Sequence, residues 1–480
     1  MKNFLKNEKY LGGILVGLAF LIMFIWAMIG TMPTGPDEGM RYSVAQYLYK
    51  NPGKLPHGDD EAIRNARWGI SYGFSPILSY MVSAVFMWMV SIITTEKMAL
   101  LRAARMADVL FITAAAWMVL QIGKRLFSDK GQRWLFCVLV IFLPEFLFMG
   151  AYVNTDSLAL MAGAMILLAW VRYLDEGWTW KNCFLLAAGM GICFLSYYNA
   201  YGWILWSAFF FCMTVLFCSD ASWKERWKFL FGRGIAIAGV TLGIAGWWFI
   251  RNFVIYDGDI LGRHASDLCA EKYAWPDFKP SVRMTPEKLG WSCKDLFLYQ
   301  DPGWQHNWLI TVMFSFIGTF GYFHIFMNET VSKIYVLFLT VGMCGVFWML
   351  REFYWRKSTV SIIRVPDAAK GKPVKIKTIS GFREWNKKGF FHLSMAAAMV
   401  TPVVLFISYA YHSDLQAQGR YILPAVYPIM YFVVCGYGKL LKKFVKREEV
   451  RKWFYRITAV LWVLGAVITF VSLILPEYLG

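Results

Sequence analysis

The chain has 480 residues, 58% of them hydrophobic and 18% aromatic, with a mean hydropathy of +0.45. Repeated apolar runs near the ~20 residues that cross a bilayer as helix indicate a polytopic membrane protein and exclude a soluble globular domain. The formal charge of +18 does not point to nucleic acid, because basic residues crowd into 124–133, 224–233, 351–388 and 439–456, between apolar runs, as cytoplasmic loops beside anionic headgroups do.

The first apolar run, 11–31, follows Lys2, Lys6 and Lys9. It is long for a signal peptide and lacks a small-x-small cleavage site, so it reads as a retained helix with its N-terminus inside. Counting every later run as a span would place Lys124, Arg125, Lys130, Arg133 and the cluster 224–233 outside, against the charge rule. The conflict disappears if 76–93 and 308–327 stay on the outer side as interfacial or re-entrant helices. The first is rich in Ser, Tyr, Met and Trp; the second carries glycines and a histidine.

The expected fold is therefore an all-α polytopic membrane protein with juxtamembrane helices in large outer loops. About eleven spans are expected, near 11–31, 106–123, 134–152, 157–174, 183–198, 201–218, 234–255, 331–350, 390–409, 421–438 and 457–475. Residues 1–355 are expected to form the transmembrane catalytic module, with outer loops 32–105 and 253–330. The basic stretch 356–389, with Pro366, Gly371 and Pro373, reads as a cytoplasmic linker, and 390–480 holds the C-terminal helices, ending outside. The nine cysteines form no CxxC pair and no zinc spacing. Cys269 and Cys293 share one polar loop, where a disulfide and two free thiols are both open.

Candidate chemistry collects at the outer ends of the spans. Asp37 and Glu38 follow the first span, and Asn154-Thr155-Asp156 lies between the third and fourth. Arg251, Asn252 and Tyr256-Asp257-Gly258-Asp259 end the seventh, and His412, Asp414, Gln418, Arg420 and Tyr421 flank the tenth. Arg102 and Arg105 sit at the outer start of the second span. Acids and arginines from separate loops at one membrane depth suggest a site. Each piece also has a structural reading. Asp37-Glu38 or Asp156 would serve as helix caps, Arg251 as a headgroup anchor, and Tyr197, Tyr198 and Tyr201 as an interfacial aromatic belt. Asp59-Asp60-Glu61 would start an exposed helix, and His57 and His412 lack metal-ligand spacing.

A phosphorylated lipid accounts for the joint pattern. Guanidiniums at headgroup depth bind phosphate, and a carboxylate within reach of an incoming hydroxyl acts as base. A divalent cation held by two carboxylates is a further option, although hard cations usually want more oxygens than these.

Taken in order, these residues resemble the GT-C superfamily of polyprenyl-phosphate-sugar-dependent glycosyltransferases, which includes protein O-mannosyltransferases and lipid A aminoarabinose transferases. The resemblance rests on Gly35-Pro36-Asp37-Glu38, Arg102-Ala103-Ala104-Arg105, Asn154-Thr155-Asp156 and Gly419-Arg420-Tyr421 with Pro424. Uncharacterised bacterial members are similar in Trp247-Trp248-Phe249-Ile250-Arg251-Asn252, the Tyr256–Asp259 stretch and the segment 315–321. The resemblance implies Asp37 as general base with Glu38 orienting the acceptor, and Asp156 as a second acidic residue. It implies Arg251 and Arg420 as donor-phosphate ligands, with Arg102 and Arg105 as further phosphate or acid partners. Asn154, Tyr256, Asp259, His412, Gln418 and Tyr421 then contact substrate. It also implies inversion at the sugar carbon, a polyprenyl-phosphate donor, a bilayer partner, an unspecified envelope acceptor and an active site on the outer face of the cell membrane. No large C-terminal outer domain follows, so the acceptor stays open and 255–307 is the candidate for its specificity. The rival readings are a secondary transporter or flippase of a charged lipid, and a structural component of an envelope assembly.

Overall fold

The computed structural model describes residues 8–353, 356–366 and 373–479, with side-chain placement for all of these except Lys9 and 351–385. It is 74% helical, in keeping with an all-α membrane protein. Helix α1 (Glu8–Ile29) leads to α2 (Glu38–Lys50), α3 (Leu78–Ser91) and the 30-residue α4 (Lys97–Leu126). Then come α5 (Lys130–Ile141), α6 (Pro144–Phe148), α7 (Asp156–Glu176), α8 (Trp180–Phe194), α9 (Gly202–Phe217) and α10 (Trp223–Ile255). A loop region carries α11 (Arg263–Tyr273), α12 (Cys293–Leu298) and α13 (Trp308–Gly318). A two-residue hairpin, β1 (Thr319–Phe320) with β2 (Ile325–Phe326), leads into α14 (Glu329–Cys344). A second antiparallel hairpin, β3 (Arg356–Pro366) with β4 (Pro373–Trp385), precedes α15 (Lys387–His412), α16 (Val426–Phe444), α17 (Glu448–Thr469) and α18 (Leu475–Leu479). The expected linker 356–389 is thus mostly paired backbone. Residues 367–372 lie outside the described ones.

Among the described residues, nine helices are long and apolar enough to cross a membrane. Two expected spans differ. The run 134–152 is α5 and α6, a pair interrupted where Pro144 cannot donate to the helix ladder. The run 183–198 is the 15-residue α8. A broken helix survives at membrane depth only where protein surrounds it, and 135–153 is buried throughout. By contrast α10 exposes Ile235, Leu242 and Ile250, and α17 exposes Val460, Leu461 and Ile468. Those apolar faces suit lipid. The segments 76–93 and 308–327 contain α3 and α13, of 14 and 11 residues, too short to span.

Local signals set the helix ends. Ser222 and Glu225 make a reciprocal cap at α10, Glu96 accepts from Met98 and Ala99 at α4, and Asn307 accepts from Ile310 at α13. Asp59-Asp60-Glu61 starts no helix. The backbone turns there, with Ile63 and Arg64 both donating to the Asp60 carbonyl, and Gly58 lies under the Phe74 ring.

Candidate functional site

The segment between α1 and α2 begins with a cluster of helix breakers. Pro33, Gly35 and Pro36 stop α1 from continuing, and the Thr34 hydroxyl donates to the Thr31 carbonyl. At Gly35 any Cβ would come within 2.5 Å of the Tyr152 ring, so a glycine is required by close approach. Asp37 then takes φ 62, a left-handed conformation that costs a non-glycine residue energy. It occupies the N-cap position of α2, yet its side chain makes no cap hydrogen bond.

The Asp37 carboxylate is aimed elsewhere. Its Oδ2 accepts from Arg420 Nη2 at 3.0 Å and from the Tyr72 hydroxyl at 3.0 Å. Its Oδ1 accepts from none of the described residues, and the side chain is 24% exposed, opening onto a cavity of ≈ 510 Å³. Burial raises the Asp37 pKa, but the Arg420 and Arg41 guanidiniums outweigh it and hold the carboxyl below its usual range. Burial and the neighbouring Asp37 push Tyr72 well above a normal phenol, which keeps it a hydrogen-bond donor.

Arg420 is buried and comes from the short turn 419–425 before α16. Gly419 makes this possible: a Cβ there would fall 2.2 Å from the Phe316 nitrogen, while its N–H donates to Ser315 Oγ at 2.6 Å. Arg420 also donates to the Tyr152 hydroxyl at 3.3 Å, and its Nε has no partner among the described residues. The site thus joins the first loop to the turn before α16.

Arg41, four residues after Asp37, was not singled out from sequence. It is 2% exposed and reaches Asp156 Oδ2 at 3.4 Å and Thr155 Oγ1 at 3.1 Å. Its guanidinium lies 4.7 Å from the Tyr72 ring centroid, and its Nε is buried without a partner among the described residues. The cap of α7 comes from Asn154, whose Oδ1 accepts from Ser157 N at 2.8 Å, and Asp156 is left to face Arg41. Asn154 is buried, with its amide spent on the Met149 and Tyr152 carbonyls, so it supports the site without reaching a substrate. Tyr72 and Arg41 could have been found from the i,i+4 spacing to Asp37 and from the tyrosine excess of the first loop, which are weak signals.

The geometry redistributes several expected roles. Glu38 is fully buried. It accepts from Arg105 Nε at 2.7 Å and Nη2 at 2.9 Å, and from the Thr34 and Val153 amides. Arg105 spends its other donors on the Ala27, Gly30 and Thr31 carbonyls and the Thr34 hydroxyl, closing the open end of α1. Neither has an atom left for an acceptor or a phosphate; together they hold the loop. Arg102 is exposed beside Glu96, away from the cavity lining. Arg251 donates to the Pro56 carbonyl at 2.6 Å and lies against Trp248, outside the cavity lining. Tyr256 accepts from the Gly58 amide, and Asp259 accepts from the Gly262 and Ala265 amides ahead of and within α11. These three brace loop to loop.

His412 and Tyr421 do line the cavity; His412 pairs with Glu287 at 3.0 Å, and Tyr421 donates to Gln416 at 2.9 Å. Gln418 is half-buried outside the lining. Tyr197 and Tyr198, read as an aromatic belt, are cavity wall. Cys269 is a buried free thiol on the Gly69 carbonyl and Cys293 is an exposed one, so no disulfide joins them. As for a cation, no group of three or more His, Cys, Asp or Glu side chains among the described residues converges to hold a metal. Asp37 and Asp156 are each tied to an arginine instead, a donor set that does not fit a divalent ion.

No protein-family model matches the sequence, and neither does any curated protein. Solved structures do match. The apo oligosaccharyltransferase of Archaeoglobus fulgidus aligns with 98% of this chain and 56% of its own, at 15% identity and a TM-score of 0.51. ArnT from Cupriavidus metallidurans bound to undecaprenyl phosphate aligns with 98% of this chain and 74% of its own, at 12% identity and a TM-score of 0.49. The Archaeoglobus fulgidus oligosaccharyltransferase AglB, in complex with an inhibitory peptide and a dolichol-phosphate, gives 14% identity and a TM-score of 0.44 over 98% and 56% of the two chains. This chain therefore spans little more than half of the oligosaccharyltransferase. With its helical bundle, its short helices in the loops and this alignment over nearly its whole length, the chain shares the fold of the membrane part of that oligosaccharyltransferase.

Proposed function

We propose that the protein is an inverting glycosyltransferase that moves a sugar from a polyprenyl-phosphate donor to a hydroxyl acceptor on the outer face of the membrane. One observation carries the reading: Asp37 is held ionised by Arg420 and Arg41, with one carboxylate oxygen unpartnered and open to the cavity. That oxygen takes the proton of the acceptor hydroxyl. The acceptor oxygen attacks the anomeric carbon from the face opposite the phosphate. The carbon–oxygen bond to phosphate breaks, and its electron pair leaves on polyprenyl phosphate. Arg420 and Arg41 each keep a buried N–H without a partner among the described residues, and the negative charge of the leaving phosphate would satisfy both.

The same reading places the N-terminus and 356–389 in the cytoplasm, with 1–355 and 390–480 meeting at the outer end. The test is reconstitution in nanodiscs with undecaprenyl phosphate, followed by phosphorus NMR. A phosphate resonance that broadens with the wild type and stays sharp with Arg420→Gln supports the reading. Equal broadening in both removes Arg420 from the donor site. A single cysteine placed at 380 and labelled in intact cells by an impermeant reagent would reverse the topology.

A further inference from the structure

The cavity has a second half that this chemistry does not use. Opposite Asp37, its rim is built by α11, the loop 274–291 and the turn 413–418. Four basic side chains reach this rim, and three of them are spent on the protein. Lys288 Nζ donates to the Pro280, Ser281 and Arg283 carbonyls. Arg283 donates to the Ser413 and Phe278 carbonyls and lies over Trp68. His412 pairs with Glu287, and Arg263 lies across the Tyr198 ring one helical turn before Asp267. Two carboxylates also face the cavity. Asp267 accepts no hydrogen bond from the described residues, with Arg263, Arg283, His264 and Asp259 around it, and Asp414 has Gln416 and the Tyr409 hydroxyl beside it, with Arg283 and Asp37 near.

We propose that this half is the acceptor subsite and that it takes a neutral carbohydrate, whose hydroxyls donate to Asp414 and Asp267 while a sugar face packs on the tyrosine wall of Tyr72, Tyr409 and Tyr421. The inference rests on the transferase reading and names its acceptor class. An anionic acceptor meets carboxylates here, and the one rim cation without a hydrogen bond, Arg263, lies against the Tyr198 ring with its charge set against Asp267. A lipid alcohol would need a continuous apolar lining, and here Met40, Ile70, Phe74 and Leu261 are interrupted by tyrosines, serines and charged side chains. A peptide is usually held along a strand edge or in a helix-sized apolar groove, and none of the described lining residues lies on β1 or β2. Tyrosines offer flat apolar faces and polar tips together, which suits a sugar ring. Burial raises both Asp414 and Asp267 above the ordinary carboxylate range, so weak acid weakens Asp414 and Asp267 as acceptors before it affects Asp37.

The experiment is saturation-transfer-difference NMR on the full chain in nanodiscs, without donor. The probes are the methyl glycosides of glucose, galactose, mannose and N-acetylglucosamine, with an acetylated Thr-containing tripeptide and inorganic phosphate as comparators. A signal from at least one glycoside is expected, about fivefold weaker in Asp267→Ala and in Asp414→Asn, the loss of roughly one hydrogen bond. Asp37→Asn should keep the glycoside signal. If that variant binds the glycoside yet still transfers sugar, the catalytic reading fails and the acceptor class stands. Signal from the tripeptide or phosphate alone, glycoside binding indifferent to both rim variants, or no binding at all would overturn the acceptor class and leave Asp37 untouched.

Discussion

Asp37 and Glu38 are adjacent carboxylates with opposite fates. Glu38 is the first residue of α2 and turns into the bundle, where four N–H groups satisfy both its oxygens. Asp37 lies one peptide bond earlier in a left-handed conformation and turns outward, keeping one oxygen without a partner among the described residues. A fully hydrogen-bonded buried charge fixes structure and has nothing left to react. A charge held by two donors on one oxygen, on strained backbone beside a cavity, is positioned and still available.

The comparison breaks most visibly at Asp37. Asp37→Asn keeps the shape and removes the base, so transfer should fall by about 10²–10⁴-fold, with a smaller loss of thermal midpoint than at Glu38 because Asp37 is partly exposed. Retained turnover would transfer the base role to another group. Glu38→Gln should do the converse. It leaves Arg105 buried with a neutral partner, and stability should fall by roughly 3–5 kcal/mol, read as a lowered thermal midpoint in detergent and poor membrane yield. A stable Glu38→Gln protein with crippled turnover would return Glu38 to the chemistry.

Much of this was legible in the sequence, and the division follows the length scale of each interaction. The clusters Gly35-Pro36-Asp37 and Gly419-Arg420 mark themselves, since glycines and prolines before a charge announce backbone forced into close quarters. Membrane character and the short interfacial helices follow from hydropathy and charge placement alone. What sequence could not supply was pairing. Arg105 and Arg251 looked like phosphate ligands because arginine at a span end does either job, and only the partners decide. Arg41 escaped notice because Asp156 stands 115 positions away in sequence. The two short passes, α5–α6 and α8, read as ordinary spans because apolar composition does not tell a lipid-facing helix from one buried in protein.

A finer test asks whether Arg41 acts through Asp37. As a base, Asp37 must be ionised, and its lowered pKa means that transfer persists into acid and is lost as pH falls through that lowered value. Arg41→Gln removes one of the two positive charges that oppose burial. The carboxyl should then bind its proton sooner on acidification, and the acid limb of the rate profile should move to higher pH. An unmoved limb would mean that Arg41 serves only to hold Asp156 and the start of α7.

The smallest expected effect is at Arg102, which separates a motif from its geometry. Arg102 and Arg105 are three residues apart on α4, close to one turn, yet Arg105 is buried against Glu38 and Arg102 is exposed outside the cavity. An exposed arginine near an exposed glutamate is screened by solvent and contributes little to stability. Arg102→Ala should leave turnover and thermal midpoint within error of the wild type. A marked loss of donor binding in that variant would mean that the phosphate lies along α4 at the lipid face, and the site would then have to extend from the cavity into the bilayer.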